Sequence, residues 1–493
     1  MIRIVPSTNR KAVAALLGAG RVRDRETERR AQEIVDAVRA VGDRALRAYA
    51  RTFDGLSGPL EVPRAEWERE AQAIPGAVRR SIREGARAIL RVSKRQVPKG
   101  WRLNVAPGIT VEQRVVPLSR VGCYVPAGRY PLPSSLLMNA IPARAAGVGE
   151  IVVACSRPDA TVFAAALEAG VDRLFRVGGA HAVAAMAYGT ASVPRVDKIV
   201  GPGNRWVSAA KSLVSADCGI DFYAGPTEIL VVASKTPPAW VAADLIAQAE
   251  HDPDARAVCI ATGRVLAERI ARELRGQLPA AGPARESLRR NGGIIVAASL
   301  SEAIDLANEC ASEHLVVESE AIASRITNAG AMFVGRWTAQ VAGDYAIGSN
   351  HVLPTAGAAR VRGGLNAADF VKLISVQRIS ESGLRRIAPT ITTLARAEGL
   401  EGHARSIEIR VGTVKSTLRE RTISGEGLRK GLRSTRKRSE TIGPNPQAPS
   451  PKRQTPRPQD LKTSRPQDPK TSRPQDPKTP RPQDPKTSRL EWS

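Results

Sequence analysis

Aromatic residues, cysteine and long apolar runs are scarce in this chain, and each scarcity excludes a class of protein. Phe, Trp and Tyr make up 4% of the 493 residues, so a core must be built mainly from Ala, Val, Leu and Ile. No apolar run approaches the ~20 residues that a membrane-spanning helix needs, and the N-terminus lacks the apolar centre of a signal peptide. We therefore expect a cytoplasmic protein that does not act on a membrane.

The cysteines are far apart in the sequence and form no C-x-x-C pair. This spacing favours a reducing compartment and argues against a thiolate zinc site or an iron–sulfur cluster. We expect each thiol to be a small buried apolar side chain. The five residues are Cys123, Cys155, Cys218, Cys259 and Cys310.

Positive charge is concentrated at the C-terminus. Residues 411–493 contain 20 Lys and Arg residues against 8 Asp and Glu residues, so they carry +12 of the net charge of +26. An octapeptide, R-P-Q-D-[LP]-K-T-[SP], repeats four times from Arg457 onward. It has no apolar face, and proline recurs too often for a helix or a sheet, so we predict that residues 413–493 are a disordered tail.

The middle of the chain alternates short apolar strands with helical segments. Glu150–Cys155, Asp172–Val177 and Lys198–Val200 are each followed by a helical pattern, and a second series begins at Ile229. This alternation predicts an α/β fold with two Rossmann-like lobes, mainly parallel sheets, and helical N- and C-terminal extensions. The predicted segments are 1–120 (N-terminal helices and the start of the large lobe), 121–224 (first lobe), 225–379 (second lobe), 380–412 (helical) and 413–493 (tail).

Gln248 and His251 end an apolar-periodic stretch just before Pro253, which stops the helix. Residues three apart share one face of a helix, so an amide oxygen and an imidazole nitrogen point the same way. Such a pair can form half of a metal site, and it also fits an ordinary solvated helix end. The pattern alone leaves both interpretations open.

Histidine is rare, and every histidine lies in a polar or turn-rich setting. The five are His181, His251, His314, His351 and His403. Singly, each also fits a structural or surface role. Together with Gln248 and Asp344 they offer nitrogen and oxygen ligands that suit Zn²⁺ or Mn²⁺. Glu313 beside His314 makes an acid/base pair, because neutral imidazole can take a hydroxyl proton and a carboxylate can activate water.

The turn G-P-G-N, at Gly201–Asn204, follows a predicted strand and opens a predicted helix. Backbone N–H groups at a helix N-terminus favour an anion. The turn does not match the G-x-G-x-x-G fingerprint, so it does not by itself predict a dinucleotide.

Seven blocks occur in order along the chain. They are V-G-C-Y-V-P-A-G (121–128), V-G-G-A-H-A (177–182), D-K-I-V-G-P-G-N (197–204), A-G-P-T-E-I-L-V (224–231), Q-A-E-H-D-P-D-A (248–255), S-E-H-L (312–315) and G-D-Y-A-I-G-S-N-H-V-L-P-T (343–355). In this order they resemble the histidinol dehydrogenase family. The resemblance covers roughly residues 20–410 and does not include the tail.

The resemblance implies a role for individual residues. The implied metal ligands are Gln248, His251, Asp344 and His403, and the implied catalytic pair is Glu313 and His314. The implied substrate contacts are Thr227, Gln248, His251, His314, Asp344, His351, Glu398 and His403. The implied cofactor contacts are Tyr124, His181 and Asn204. His181 departs from the family pattern, which has Gln at this place, and imidazole differs from an amide in reach and geometry.

The family resemblance also implies an activity. It implies NAD-dependent oxidation of L-histidinol through L-histidinal to L-histidine, the last step of histidine biosynthesis, with one Zn²⁺ per subunit and Mn²⁺ as the alternative. It assigns NAD to the first lobe, and the metal and catalysis to the second. It implies a homodimer in which the 380–412 segment enters the partner's site. No cysteine thiohemiacetal is required.

Two other functions remain open from the sequence. A relative with the same metal and NAD chemistry would oxidise another small polar alcohol, for example a sulfonated diol; Thr227, His351 and Glu398 favour histidinol, because they suit imidazole and ammonium groups. A basic binding protein would use residues 411–493 on nucleic acid or an acidic partner. The repeat has no aromatic residue for base stacking and each unit carries only about +1, so we do not expect nucleic acid as a partner.

Overall fold

The computed structural model describes residues 2–18, 24–127, 130–223 and 225–412. The predicted tail, 413–493, lies outside the described residues.

The strands are β1 (Ile4–Pro6), β2 (Trp101–Ala106), β3 (Ile109–Pro117), β4 (Arg120–Tyr124), β5 (Glu150–Ala154), β6 (Arg173–Phe175), β7 (Lys198–Val200), β8 (Gly219–Ile220), β9 (Glu228–Ala233), β10 (Arg256–Thr262), β11 (Gly293–Ala297), β12 (His314–Val317), β13 (Ala331–Val334) and β14 (Val371–Ile379).

Helices connect most of these strands. They are α1 (Arg10–Leu17), α2 (Arg25–Val41), α3 (Asp43–Tyr49), α4 (Arg64–Gln72), α5 (Gly76–Gln96), α6 (Pro133–Ala145), α7 (Ala160–Glu168), α8 (Gly179–Tyr188), α9 (Arg205–Val214), α10 (Pro238–Ala249), α11 (Arg264–Gln277), α12 (Pro283–Asn291), α13 (Leu300–Cys310), α14 (Glu320–Ala323), α15 (Gln340–Tyr345), α16 (Glu381–Ala397) and α17 (Glu401–Val411). A π-helical turn, Ala50–Asp54, follows α3, and two 3₁₀ turns, Ala358–Arg360 and Ala367–Phe370, precede β14.

Two parallel sheets form the cores of the two lobes. The first has the order β6-β5-β4-β7-β8, and the second has the order β1-β11-β10-β9-β12-β13. Alternating apolar strands and helices fold this way because each crossover helix covers one face of the sheet. The predicted α/β fold with two Rossmann-like lobes is confirmed.

Strand pairing crosses the predicted segment boundaries at two places. β1, within predicted segment 1–120, pairs in parallel with β11 of the second lobe. β14, within predicted segment 225–379, pairs antiparallel with β3 and completes a separate sheet of order β14-β3-β2. Local pattern predicts a strand but not its distant partner, so both pairings were missed. The segment boundaries otherwise stay predictions.

The core is built from small aliphatic side chains, as the scarcity of aromatics predicts. All five cysteines are buried and free, which confirms the predicted burial. Burial raises the pKa of the Cys155 thiol to about 12 and that of the Cys218 thiol to about 11, so neither is a thiolate at neutral pH. Among the described helices, none has both the length and the apolar character needed to cross a bilayer.

Candidate active site

Most of the predicted catalytic and metal-binding residues lie at the edge of the second sheet where its strands begin. Thr227 precedes β9, Glu313 precedes β12, and His314, the first residue of β12, is in register with Ile229. Helix α10 runs back from the end of β9 to the beginning of β10, so its last turn, with Gln248, reaches the same edge. The parallel register therefore brings residues far apart in sequence side by side.

Hydrogen bonds join three of these side chains. Gln248 Nε2 donates to Thr227 Oγ1 at 2.5 Å, and that hydroxyl donates to Glu313 Oε2 at 2.6 Å. The backbone N–H of Glu228 donates to the same carboxylate oxygen at 2.7 Å. The amide oxygen of Gln248, Oε1, is buried and has no hydrogen-bond partner within the described residues.

His314 is a buried imidazole whose tautomer is set by a backbone contact. Its Nδ1 lies 3.1 Å from the carbonyl oxygen of Glu228, and because a carbonyl only accepts, Nδ1 carries the hydrogen. Nε2 keeps its lone pair and is buried without a partner in the described part of the chain. Burial lowers the pKa of His314, but the nearby Glu313 carboxylate outweighs it, and the net pKa is raised. Neutral His314 is therefore a proton acceptor at Nε2.

Glu228, which was not among the predicted site residues, contacts both Glu313 and His314 through its backbone. Its Oε1 accepts from the N–H groups of Glu313, at 3.3 Å, and Ala356, at 3.1 Å, and its Oε2 lies 3.5 Å from Arg256 Nη1. Burial raises the pKa of Glu228 to about 7, although Arg256 opposes this. Its signal in the sequence is a lone charged residue that opens an apolar strand, E-I-L-V-V-A.

Asp344 and His351 lie beside this cluster. Asp344 Oδ1 is 3.7 Å from His351 Nδ1, and Gln340 Nε2 donates to Asp344 Oδ2 at 3.0 Å. The charge of Asp344 contributes to the raised pKa of His314. Burial lowers the pKa of His351. His351 Nε2 lies 3.3 Å from the hydroxyl of Ser135, on α6 of the first lobe, so the lobes meet here.

His251 is exposed just beyond the end of α10. Its Nδ1 lies 3.1 Å from the carbonyl oxygen of Ala247, so Nδ1 carries the hydrogen and Nε2 keeps its lone pair. Metal-binding histidines are commonly oriented by such a bond from the other ring nitrogen. Within residues 2–18, 24–127, 130–223 and 225–412, no group of three or more His, Cys, Asp and Glu side chains is placed to hold a metal ion. The predicted set of four ligands includes the Gln248 amide and His403, which lies in α17.

Glu398 and His403 are not brought to this cluster within one chain. Glu398 caps the end of α16, His403 lies in α17, and both side chains are exposed. Among the described residues, neither side chain hydrogen-bonds or forms an ion pair with the cluster of the second lobe. These two helices pack against each other, as the predicted helical extension implies.

The predicted cofactor residues lie at the carboxyl edge of the first sheet, where its strands end, whereas the catalytic candidates lie where the strands of the second sheet begin. Tyr124 ends β4, and its hydroxyl accepts from the N–H of Gly179 at 3.1 Å. Asn204 follows β7 and caps α9, with Oδ1 accepting from the N–H groups of Trp206, at 3.0 Å, and Val207, at 3.2 Å. That cap leaves the Nδ2 donor of Asn204 for a ligand.

His181 is buried in the first turn of α8 and already has a partner. Its Nε2 lies 2.8 Å from Asp54 Oδ2, and the same oxygen accepts from the N–H of Gly178 at 3.0 Å. The rings of Tyr49 and Phe53 lie 6.0 and 6.1 Å from the imidazole. Asp54 was missed in the sequence, where nothing distinguishes it from other acidic residues at a helix end.

Comparisons with known proteins identify the family of this chain. The family profile described as histidinol dehydrogenase matches residues 19–411. Histidinol dehydrogenase of Methylococcus capsulatus is 44% identical over 411 residues, which covers 80% of this chain and 94% of that protein. Histidinol dehydrogenase of Halobacterium salinarum is 46% identical over 392 residues, which covers 77% of this chain and 92% of that protein.

A solved structure extends the comparison to the fold. The crystal structure of histidinol dehydrogenase from Elizabethkingia anophelis superposes with a TM-score of 0.79 at 28% identity, and it covers 84% of this chain and 98% of that chain. The two parallel sheets, the ordered sequence blocks and the extent of these matches lead to one assignment. This chain belongs to the histidinol dehydrogenase family.

Proposed function

We propose that this protein oxidises L-histidinol to L-histidine through L-histidinal, with NAD⁺ as the oxidant in both steps. The observation that carries the proposal is His314, whose Nδ1 is bound to the Glu228 carbonyl and whose Nε2 is buried without a partner. A neutral imidazole held this way, next to a fixed carboxylate, matches the needs of alcohol oxidation followed by attack of water on an aldehyde.

We assign a divalent metal, Zn²⁺ or Mn²⁺, to Gln248, His251, Asp344 and His403 of the partner subunit. The residues fit such an ion in two respects. Gln248 Oε1 is a buried acceptor with no partner among the described atoms, and the Ala247 carbonyl directs His251 so that Nε2 is free. The donors are nitrogen and oxygen atoms only, which suits these metals. When bound, the ion would hold the amino and imidazole groups of the substrate and fix its orientation.

The catalytic pair divides the proton chemistry. His314 takes the hydroxyl proton of the alcohol at Nε2, and NAD⁺ is the hydride acceptor. Glu313 is held at Oε2 by Thr227 and the Glu228 N–H, and we assign its other oxygen, Oε1, to the activation of water. That water adds to the aldehyde and gives the hydrate for the second oxidation.

We place NAD at the carboxyl ends of the first sheet, against Tyr124 and Asn204. Ligands in open α/β sheets bind at this edge. His181 Nε2 is hydrogen-bonded to Asp54, so we propose that His181 stabilises the residues that line the cofactor site. Thr227, His351 and Glu398 of the partner subunit complete the proposed substrate contacts.

Substrate identity is tested by NADH formation from L-histidinol against a panel of alcohols that includes a sulfonated diol. We expect two NADH per histidinol consumed and L-histidine as the product. The names of the relatives favour histidinol over the sulfonated diol. Absence of turnover with histidinol, together with turnover of the diol, would overturn the proposal.

The proposed homodimer has a test of its own. His251→Ala and His403→Ala should each inactivate the enzyme. If the two ligands of one site come from different subunits, mixing the inactive dimers creates heterodimers with one intact site, and random exchange restores about a quarter of the wild-type activity. No recovery after verified exchange would place both ligands in one chain.

A further inference from the structure

A buried ion pair holds the G-P-G-N turn. Lys211, in α9, pairs with Asp221, which follows β8, and the two side chains are 2% and 0% exposed. Lys211 Nζ donates to the carbonyl oxygen of Gly201 at 3.0 Å. The N–H of Gly201 donates to Asp221 Oδ2 at 2.8 Å. The two polar groups of one glycine are therefore held by the opposite charges of one pair.

The backbone of the turn packs closely against the end of β4 at Gly201. Gly201 has φ +119°, and a Cβ atom there would overlap the carbonyl oxygen of Tyr124. Asn139 Nδ2 donates to that same carbonyl oxygen at 3.4 Å. Only glycine fits this close approach, which brings the turn that leads to Asn204 against the end of β4 at Tyr124.

Stability alone is a weak reason for such a pair. Removing two charges from water costs free energy that their attraction only partly offsets, and a pair of apolar side chains often serves stability equally well. Directional hydrogen bonds to Gly201 are what an apolar pair cannot supply. The pair is thus suited to fixing geometry.

We propose that Lys211 and Asp221 are positioning residues of the NAD site, which hold Gly201 so that Tyr124 and Asn204 face the same dinucleotide. This inference rests on the proposed function, which places NAD at the carboxyl edge of the first sheet. Neither residue contacts the cofactor in this role. Their effect reaches it through the backbone of the turn.

Two variants separate positioning from stability. Lys211→Met removes the donor to the Gly201 carbonyl and leaves Asp221 as an unpaired buried charge. Lys211→Met combined with Asp221→Asn removes both charges and keeps a side-chain acceptor for the Gly201 N–H. We expect the melting temperature to fall in the single variant and to recover substantially in the double variant. In both, we expect the Kd for NAD⁺ to rise about tenfold, because the carbonyl still lacks its donor.

NAD⁺ is titrated calorimetrically into the metal-loaded full-length protein, and steady-state kinetics supply a second readout. We expect KM for NAD⁺ to rise with Kd, while KM for histidinol and the metal content stay unchanged. Lys198→Met is the matched control. Lys198, in β7, donates to the Asp369 carbonyl at 2.7 Å and does not bond Gly201, so its variant should keep the wild-type Kd.

Recovery of the NAD⁺ affinity together with the melting temperature in the double variant would overturn the positioning role. Asn204→Ala separates this failure from failure of the proposed site. If Asn204→Ala weakens NAD⁺ binding and the double variant does not, the site stands and the inference is wrong. If neither variant changes the Kd, NAD binds elsewhere and both proposals fall.

Discussion

The two lobes share one architecture but direct opposite edges of their sheets toward the candidate active site. In the first lobe, Tyr124 ends β4 and Gly201 follows β7, so the proposed cofactor residues lie where strands end. In the second lobe, Thr227 and His314 lie where β9 and β12 begin. In the proposed arrangement, only the first lobe follows the usual rule that ligands bind at carboxyl ends.

The second lobe's carboxyl edge is filled by a side chain of its own. Glu318 follows β12 and accepts from the N–H groups of Ser234, at 2.8 Å, and Lys235, at 2.7 Å. Burial opposes its ionisation, but the hydrogen bonds from Ser234 and Thr236 outweigh burial and lower the pKa of Glu318. Backbone N–H groups at the carboxyl edge are therefore bound by a carboxylate of the lobe itself, whereas the proposed catalytic residues lie at its amino edge.

The largest expected effect is on catalysis at the second lobe's edge. His314→Asn removes the acceptor at Nε2 while keeping a side-chain N–H near the Glu228 carbonyl. We expect kcat to fall about 10³-fold, the usual contribution of a general base. NAD⁺ affinity and metal content should be unchanged, measured by calorimetry and elemental analysis. A kcat within tenfold of wild type would remove His314 from the proposed role.

Metal binding at the same edge comes next. His251→Ala should lower metal content and reduce activity about 100-fold, without unfolding, because the side chain is exposed. Glu250→Ala, which alters the neighbouring exposed side chain, is the control and should keep its metal. Full metal occupancy in His251→Ala would show that His251 is not a ligand.

Cofactor binding at the first lobe's edge should depend on Asn204. Asn204→Ala removes a helix cap and the free Nδ2 donor, and we expect KM for NAD⁺ to rise about tenfold. Asp159→Ala removes the equivalent cap of α7, where Asp159 accepts from the N–H of Val162 at 2.9 Å, and it has no proposed contact with NAD. Equal changes in KM for NAD⁺ would assign the Asn204 effect to capping alone.

The pH dependence should report the coupling between Glu313 and His314. His314 must be neutral to accept a proton, and Glu313 holds its pKa above the ordinary value, so the first turnover should fall on the acid side as pH drops through that raised pKa. Glu313→Gln removes the charge, so the acid limb should move to lower pH. Pre-steady-state NADH formation with histidinol measures it, and an unmoved limb would mean that another group controls it.

The smallest effect is expected from the tail. Deletion of residues 413–493 leaves α17 and Gly412 intact. We expect activity to stay within about twofold of wild type, because the proposed site draws on no residue beyond His403. Steady-state NADH formation on the shortened chain measures this, and loss of activity would give the tail a part in the enzyme.

Local sequence pattern was enough to predict the two lobes, because apolar strands and helices differ in period. The strand Lys198–Val200 was predicted with the bounds it has in the structure, and the strand predicted at Glu150–Cys155 ends one residue earlier, at Ala154. The pairing of β1 with β11 was not predictable in this way, since it joins residues that are almost 300 positions apart.

The candidate site was predicted only in part for a related reason. The family blocks supplied the identity of Gln248 and His314, but not the bonds that set their free atoms. Gln248 is bound by Thr227, and His314 is bound by the carbonyl of Glu228, which lies 86 positions away in sequence and beside it in the register of β9 and β12. No local pattern carries such a contact.

The proposal that NAD binds at the first lobe and the metal at the second is tested most directly by titrating NAD⁺ into the protein after its metal has been removed. We expect the Kd to stay within about twofold of that of the metal-loaded protein, while turnover of histidinol is lost and returns when Zn²⁺ or Mn²⁺ is added. Loss of NAD⁺ binding along with the metal would contradict separate cofactor and metal edges.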